Sequence, residues 1–115
     1  MALLSLNGTF MTKLFATGFF LLLGAATCGN AQAQDAAKIS AGEMIYSDYC
    51  STCHGEQLRN TSGGVTFDLR RLKPEERERF VTSVNNGKNQ MPPWRGVLDD
   101  NQIESIWAYI MAKGG

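Results

Sequence analysis

Two cysteines and a histidine lie close together in the run Cys50-Ser51-Thr52-Cys53-His54. Two thiols separated by two residues can each add to one vinyl group of a single haem, and the imidazole that follows then faces the iron. His54 is the only histidine among the 115 residues, which excludes multi-histidine metal sites and axial ligation by two histidines. The pattern therefore predicts one covalently bound haem c, attached through Cys50 and Cys53, with His54 as an axial ligand of the iron.

Three other interpretations use the same two thiols. A redox-active dithiol of the thioredoxin type expects a strand–helix–strand context, which this sequence lacks. A structural zinc site needs four ligands, whereas this segment offers two cysteines and one histidine before carboxylates are recruited. A plain disulfide would leave the adjacent histidine without a role. Haem c is the interpretation that uses all three residues.

An iron held by one imidazole takes a sixth ligand or keeps an open position, and three methionines beyond residue 33 are candidates. Met44 lies on the same predicted helix as the cysteines, which is poor geometry for a second axial ligand. Met111 continues the apolar face of the last predicted helix, where methionine usually fills core space. Met91 lies in a loop directly before two prolines, which favours rigid presentation of its thioether. Met91 is the predicted ligand, and Lys88 is a weaker candidate because its ammonium must first lose a proton.

Three helical patterns separated by loops position these residues. The run Ser40-Ala41-Gly42-Glu43 has the form of a capping box and predicts the start of the first helix. Pro74 at the start and Gly87 at the end delimit a middle helix, and Asp99 or Asp100 caps a last one. The apolar face of the last helix consists of Ile103, Ile106, Trp107, Ile110 and Met111. Since no stretch alternates polar and apolar residues over strand length, we predict an all-α domain of three to four helices.

The N-terminal part of the chain has the pattern of a secretory signal peptide. Lys13 precedes an uncharged run over residues 14–27, and the small-residue stretch Ala31-Gln32-Ala33 follows. A positive segment, a short apolar segment and an Ala-x-Ala site are the parts of such a signal. We predict a signal peptide over residues 1–33, which implies export, and a folded domain over residues 34–115.

The start of the signal peptide, and whether the segment is a membrane anchor or a lipoprotein signal instead, are separate questions. Met11 stands just before the positive segment and is a candidate for the true start. The apolar run is shorter than the roughly 20 residues that a membrane span needs. Cys28 raises the option of a lipoprotein, but the preceding Ala25-Ala26-Thr27 lacks the bulky aliphatic residue of a lipidation signal. We therefore expect no membrane span after cleavage.

Charge and size restrict the function further. The chain has 11 basic and 11 acidic residues, for a net charge of zero. Binding to nucleic acid through bulk charge needs a surplus of Lys and Arg, so that class is excluded. Loss of Lys13 with the leader leaves 10 basic and 11 acidic residues, a net charge of −1. A domain this small usually needs a disulfide, a metal or a large cofactor to stabilise its thin core, and haem would serve.

The motifs beyond residue 34 resemble those of small class I (monohaem) cytochromes c. The resemblance is carried by Gly42-x-x-x-Tyr46-x-x-x-Cys50-x-x-Cys53-His54-Gly55, by Asn86-Gly87-x-x-x-Met91-Pro92 and by Trp107-Ala108-Tyr109-Ile110. It implies the class I cytochrome c fold, with helices wrapped around one covalently bound haem. It also implies that the first and last helices cross, with Gly42 and Tyr46 against Ile106 and Tyr109. Because Gly42 has no side chain, the axes of the two helices could approach closely there.

The sequence departs from this family at one point. Family members usually have a proline before the middle helix, whose carbonyl accepts a hydrogen bond from the histidine ligand. No proline lies between Gly63 and Leu69, so the acceptor for His54 is unassigned. Arg70, Arg71 or the indole N–H of Trp94 are candidates for binding a haem propionate.

The resemblance implies a bacterial periplasmic electron carrier rather than an enzyme. Haem with histidine and methionine ligands passes single electrons instead of binding substrate. We expect a monomer that takes electrons from a periplasmic dehydrogenase and delivers them to a terminal oxidase or another cytochrome. The run Asn86-Gly87-Lys88-x-Gln90-Met91-Pro92-Pro93-Trp94 suggests the carriers of quinoprotein alcohol dehydrogenases. The alternatives are a haem c subunit of a dehydrogenase complex, and an open-site haem enzyme or gas sensor.

Overall fold

A computed structural model describes residues 29–114 of the chain. Its α-helices are α1 (Gly29–Tyr49), α2 (Ser51–His54), α3 (Arg77–Asn86) and α4 (Asp100–Gly114), and its 3₁₀ turns are Glu56–Leu58, Leu69–Arg71 and Pro74–Glu76. Extended pairing within residues 29–114 is limited to two isolated bridges. The predicted all-α class is therefore confirmed. None of the helices described is long and apolar enough to cross a membrane.

Helix α1 begins well before the cap predicted from the sequence, so that prediction was wrong. The helix starts at Gly29 and runs without a break past Ser40. Residues 31–38 include four alanines and no proline, and alanine has the highest intrinsic helix propensity. All side chains of residues 31–38 are exposed. This part of α1 is therefore stabilised by local propensity and not by packing.

The predicted leader falls mostly outside the structure. Residues 1–28, with Met11 and Cys28, lie outside the described residues. The predicted cleavage point after Ala33 falls within α1. That boundary stays a prediction.

Helices α1 and α4 cross at Gly42. A Cβ atom on Gly42 would lie 1.9 Å from the backbone oxygen of Ser105, so only a residue without a side chain permits this approach. Along the same face of α1, the rings of Tyr46 and Tyr109 pack with their centroids 5.4 Å apart. The crossing implied by the cytochrome c resemblance is confirmed, with Gly42 against the backbone of α4.

The core lies between α4 and the helices on either side of it. Helix α3 contributes Phe80 and Val84, and the ring of Phe80 packs against that of Trp107 with centroids 5.3 Å apart. The buried apolar residues are Tyr46, Leu58, Phe80, Val84, Leu98, Ile103, Ile106, Tyr109 and Ile110. The predicted apolar face of the last helix therefore packs into the core, together with Phe80 and Val84 of α3.

The ends of α3 and α4 agree with the sequence signals. Pro74 opens a 3₁₀ turn that leads into α3, and Gly87 ends α3 with a φ of 74°. The Asp99 carboxylate accepts from the backbone N–H of Gln102 at 2.8 Å, and the Gln102 side chain accepts from the N–H of Asp99 at 2.9 Å. These reciprocal bonds satisfy two donors at the start of α4. Together α3 and α4 bracket the loop that carries Met91.

Candidate haem site

The cysteine pair lies at a sharp junction between α1 and α2. Cys50 separates the two helices, and its carbonyl accepts from the N–H of His54 at 2.9 Å. Gly55 ends the turn with a φ of 86°, and a Cβ atom there would lie 1.9 Å from the Arg59 carbonyl oxygen. The hydroxyl of the buried Tyr46 donates to the Gly55 carbonyl at 2.7 Å. The turn that holds both thiols and the imidazole is therefore fixed from both ends.

The imidazole of His54 is oriented by a backbone carbonyl. Its Nδ1 lies 3.1 Å from the carbonyl oxygen of Phe67. A carbonyl can only accept, so Nδ1 carries the proton and Nε2 keeps the lone pair that a metal needs. The acceptor that the sequence left unassigned is thus a backbone group within the proline-free Gly63–Leu69 segment. Residue types could not reveal it, because every residue in that segment carries a carbonyl.

The two thiols are free and differ in exposure. Cys50 is half-buried and Cys53 is exposed. Burial, with a smaller contribution from the nearby Cys53, raises the pKa of the Cys50 thiol to about 11. Redox-active cysteines have lowered pKa values that favour the thiolate. The environment of Cys50 therefore disfavours the dithiol interpretation.

Met91 lies in a loop whose backbone is tied to itself and to α3. The N–H of Lys88 donates to the Met91 carbonyl at 3.1 Å, and the N–H of Met91 donates to the Lys88 carbonyl at 3.0 Å. The N–H of Trp94 donates to the carbonyl of Val84 in α3 at 2.9 Å. Met91 is half-buried against the core, whereas Met44 is 61% exposed on α1.

The loop that carries Met91 is adjacent to the cysteine junction. The ring of Trp94 meets that of Tyr49 edge to face, with centroids 5.5 Å apart, and Tyr49 directly precedes Cys50. The structure therefore brings Trp94 beside the predicted attachment site. The guanidinium of Arg70 makes two hydrogen bonds to Asp68, at 3.0 and 2.8 Å. Propionate binding by Arg70 or Trp94 stays a prediction.

Large apolar side chains around these residues are open to solvent. Tyr49 and Phe67 are each 41% exposed, and Val97, whose N–H donates to the Trp94 carbonyl, is 57% exposed. Large apolar side chains that are left exposed are available to contact a partner or a ligand. A haem would be covered by such side chains while its iron met the Nε2 atom of His54. The residues present therefore fit haem c.

Comparison with known proteins agrees with this chemistry. Residues 37–110 match the family model described as cytochrome c oxidase, cbb3-type, subunit III. A cytochrome c6 from Gracilaria tenuistipitata var. liui is 36% identical over 106 residues, which cover 90% of this chain and 95% of the relative. The chain belongs to the class I, monohaem cytochromes c. A second cytochrome c6, from Leptolyngbya boryana, is 31% identical over 80 residues, which cover 67% of this chain and 94% of the relative.

A larger relative matches over a short segment. The quinohemoprotein alcohol dehydrogenase ADH-IIG of Pseudomonas putida is 35% identical over 85 residues, which cover 72% of this chain. The chain spans 12% of the length of that dehydrogenase. No solved structure gives a significant match. As a member of the cytochrome c family, the chain binds haem c covalently and carries electrons.

Proposed function

We propose that this cytochrome c is an exported one-electron carrier whose haem is attached through Cys50 and Cys53 and ligated by His54 and Met91. The hydrogen bond from His54 Nδ1 to the Phe67 carbonyl carries the proposal, because it presents Nε2 in the protonation state that binds iron. When bound, haem with histidine and methionine ligands supplies a one-electron couple of raised potential.

The chain's own residues would hold the haem and its ligands. Cys50 and Cys53 would attach the haem, and the hydrogen bond from the Tyr46 hydroxyl to the Gly55 carbonyl holds the backbone of the turn that carries His54. The paired hydrogen bonds between Lys88 and Met91 shape the loop that would present the thioether. A loop fixed in this way favours a closed sixth position and a carrier rather than a haem enzyme or gas sensor.

We also propose a periplasmic dehydrogenase as the electron donor and a terminal oxidase or another cytochrome as the acceptor. The 35% identity to a segment of a quinohemoprotein alcohol dehydrogenase supports that class of donor. The match to a family described as a cytochrome c oxidase subunit supports an oxidase as acceptor. Such redox contacts are small and short-lived, below about 1,200 Å².

A second candidate is a haem c subunit held within a dehydrogenase complex. The same likeness to a dehydrogenase segment favours it. Size-exclusion chromatography of the native protein from its own periplasm separates the two, because a shuttle elutes as a small monomer and a subunit elutes with its partner.

Spectroscopy on the exported protein, expressed from the full-length sequence, tests the carrier proposal. We expect a c-type pyridine haemochrome, the weak far-red band of a methionine-ligated ferric haem, and no carbon monoxide adduct of the reduced protein. Mass spectrometry of the exported form should give Gln34 as the first residue. Carbon monoxide binding by the unmodified protein would instead establish an open site.

A further inference from the structure

Three polar side chains hold the loop between α2 and α3. We call Asn60, Ser62 and Thr66 the polar cluster. The Asn60 Oδ1 atom accepts from the Ser62 N–H at 2.9 Å and from the Ser62 hydroxyl at 2.7 Å. The Asn60 Nδ2 group donates to the Thr66 carbonyl at 2.7 Å, and the Thr66 N–H donates to Ser62 Oγ at 2.9 Å. Both backbone polar groups of Thr66 are therefore held by side chains of the cluster.

The polar cluster contacts the haem-binding run, Cys50 to His54, through a hydrogen bond. The Thr66 hydroxyl donates to the Cys53 carbonyl at 3.1 Å. The following loop residue is Phe67, whose carbonyl accepts from Nδ1 of His54 at 3.1 Å. His54 in turn directly follows Cys53. Two consecutive loop residues thus contact two consecutive residues of the haem-binding run. Fixing Thr66 places the carbonyl of Phe67 opposite the imidazole.

The backbone of the loop contributes little rigidity of its own, with one long hydrogen bond from the Val65 N–H to the Ser62 carbonyl at 3.4 Å. Gly63 and Gly64 are adjacent, both have positive φ, and a Cβ atom on either would meet nothing within 4 Å. Glycine has the largest conformational freedom to lose, and the segment contains no proline to restrict it. Outside the cluster, the Arg79 guanidinium lies over the Phe67 ring, 5.0 Å from its centroid. That contact holds the ring, whereas the cluster holds the backbone that carries the acceptor.

We propose that the polar cluster of Asn60, Ser62 and Thr66 positions the Phe67 carbonyl on His54 Nδ1 and thereby sets the orientation and basicity of the axial imidazole. The inference rests on the proposed role of His54 as an iron ligand. A hydrogen bond at Nδ1 makes the imidazole a stronger donor to the metal, and a stronger donor stabilises ferric iron. Weakening that bond should raise the reduction potential.

The test measures the exchange of the His54 Nδ1 proton with solvent by NMR in the reduced holoprotein, together with the midpoint potential. Thr66→Val keeps the shape of the side chain and removes the hydroxyl, which donates to the Cys53 carbonyl and also lies 2.9 Å from Ser62 Oγ and 3.3 Å from Asn60 Oδ1. Losing these contacts, at a net cost of about 1.4 kcal/mol, should speed exchange about tenfold, and the potential should move to a more positive value. Thr66→Ser keeps the hydroxyl and should restore both values. Thr61→Val, an exposed threonine of the same loop outside the cluster, is the matched control and should change neither.

The outcomes separate this inference from the carrier proposal. His54 ring protons that lack the large haem ring-current shift in the unmodified protein would show that His54 is not a ligand. If those shifts are present, unchanged exchange and potential in Thr66→Val would overturn the role of the cluster. Should Thr66→Val fail to fold, Asn60→Ala provides the second test. It removes the acceptor for Ser62 and the donor to the Thr66 carbonyl without adding a charge, and the same two changes are expected.

Discussion

Single residues decide which side chains can reach the iron, and the methionines differ in this respect. Met44 is largely exposed on α1 and Met111 packs against the core from α4, whereas Met91 lies in a loop tied by backbone hydrogen bonds. We expect Met91→Ala to keep haem attached, to lower the reduction potential and to let carbon monoxide bind, because the thioether favours ferrous iron. Redox titration and absorption spectra of the purified variant measure all three.

Two methionine replacements serve as controls for that experiment. Met44→Leu and Met111→Leu should keep the far-red band and the potential of the unmodified protein. If the band persisted in Met91→Ala, or vanished in one of the control variants, the ligand would be another residue.

The buried hydroxyl of Tyr46 supports the turn that carries His54. We expect Tyr46→Phe to lower the free energy of unfolding of the holoprotein by about 1 kcal/mol, the usual net worth of one hydrogen bond. Urea titration measures the loss. Tyr49→Phe is the matched control, because the Tyr49 ring is 41% exposed, and it should cost almost nothing.

The same hydroxyl gives a pH dependence with a definite sign. Burial raises the pKa of Tyr46 above its ordinary value near 10. The folded state then keeps this proton at a pH where the unfolded state loses it, so the free energy of unfolding falls as pH rises above about 10 and is unaffected below. Tyr46→Phe should flatten that alkaline decline. An equally steep decline in the variant would assign it to other groups.

Prediction from sequence works at this scale where chemistry and spacing are local. Cys50, Cys53 and His54 lie within a run of five residues, so their joint chemistry is visible in the chain itself. The Phe67 carbonyl accepts from His54, and the Tyr46 hydroxyl donates to the carbonyl of Gly55, the residue after His54. Such partners depend on where the chain folds back, and a carbonyl carries no residue signature.

At the scale of helices, the crossing of α1 and α4 depends on one missing side chain. We expect Gly42→Ala to destabilise the holoprotein by about 1–3 kcal/mol, the usual cost of overpacking, because its Cβ would meet the Ser105 carbonyl oxygen. This loss exceeds the gain of about 1 kcal/mol in helix propensity. Thermal or urea unfolding of the holoprotein measures the net effect.

A second position on α1 provides the control and tests the revised start of the helix. Ser40 is exposed inside α1, so Ser40→Ala should change the stability by no more than about 0.5 kcal/mol. A loss of about 1 kcal/mol, typical of a deleted helix cap, would instead place the start of the helix at Ser40.

The helices show which local signals are reliable in this chain. Gly87 and Asp99 mark true boundaries because each meets a backbone need, a positive φ in one case and unpaired N–H groups in the other. The pattern from Ser40 to Glu43 offers similar hydrogen bonds, yet the alanine-rich segment before it already favours helix. That segment has no apolar periodicity, so its helical state could not be seen from amphipathic pattern.

On the scale of the whole molecule, the core is thin without its cofactor. Apolar side chains such as Tyr49, Phe67 and Val97 stay exposed near the proposed site. Domains of this size usually need a disulfide, a metal or a cofactor for stability, and haem would fill that role here. In the double variant Cys50→Ala, Cys53→Ala, we expect that acid–acetone removes any bound haem, because no covalent bond holds it. We also expect the variant to lose most of its helical signal in circular dichroism. Cys28→Ala, in the predicted leader, is the control and should yield normal holoprotein. A double variant with full helix content would contradict this dependence on haem.

Encounter with a redox partner also depends on the charge of the whole molecule. A net charge of −1 after loss of the leader provides no strong electrostatic field to attract a partner. Local charges must then steer the partner. Lys88 and Arg95 are exposed in the loop that carries Met91, and Arg95 is further held by a hydrogen bond from its guanidinium to the Asn86 side chain at 3.1 Å. We expect reversal of both charges to glutamate to slow electron transfer from the donor at low ionic strength, and the difference to vanish as salt screens it.

The control must match the change in net charge and differ in place. Lys38→Glu with Lys113→Glu alters two exposed lysines on α1 and α4, outside that loop, and should leave the rate close to that of the unmodified protein. Absorption spectra should be the same in all three proteins, because neither pair includes a proposed ligand. Stopped-flow rates that fall equally in both double variants would attribute steering to total charge, and rates equal to the unmodified protein in both would remove these side chains from the encounter. A loss confined to Lys88 and Arg95 places the partner over the Met91 loop.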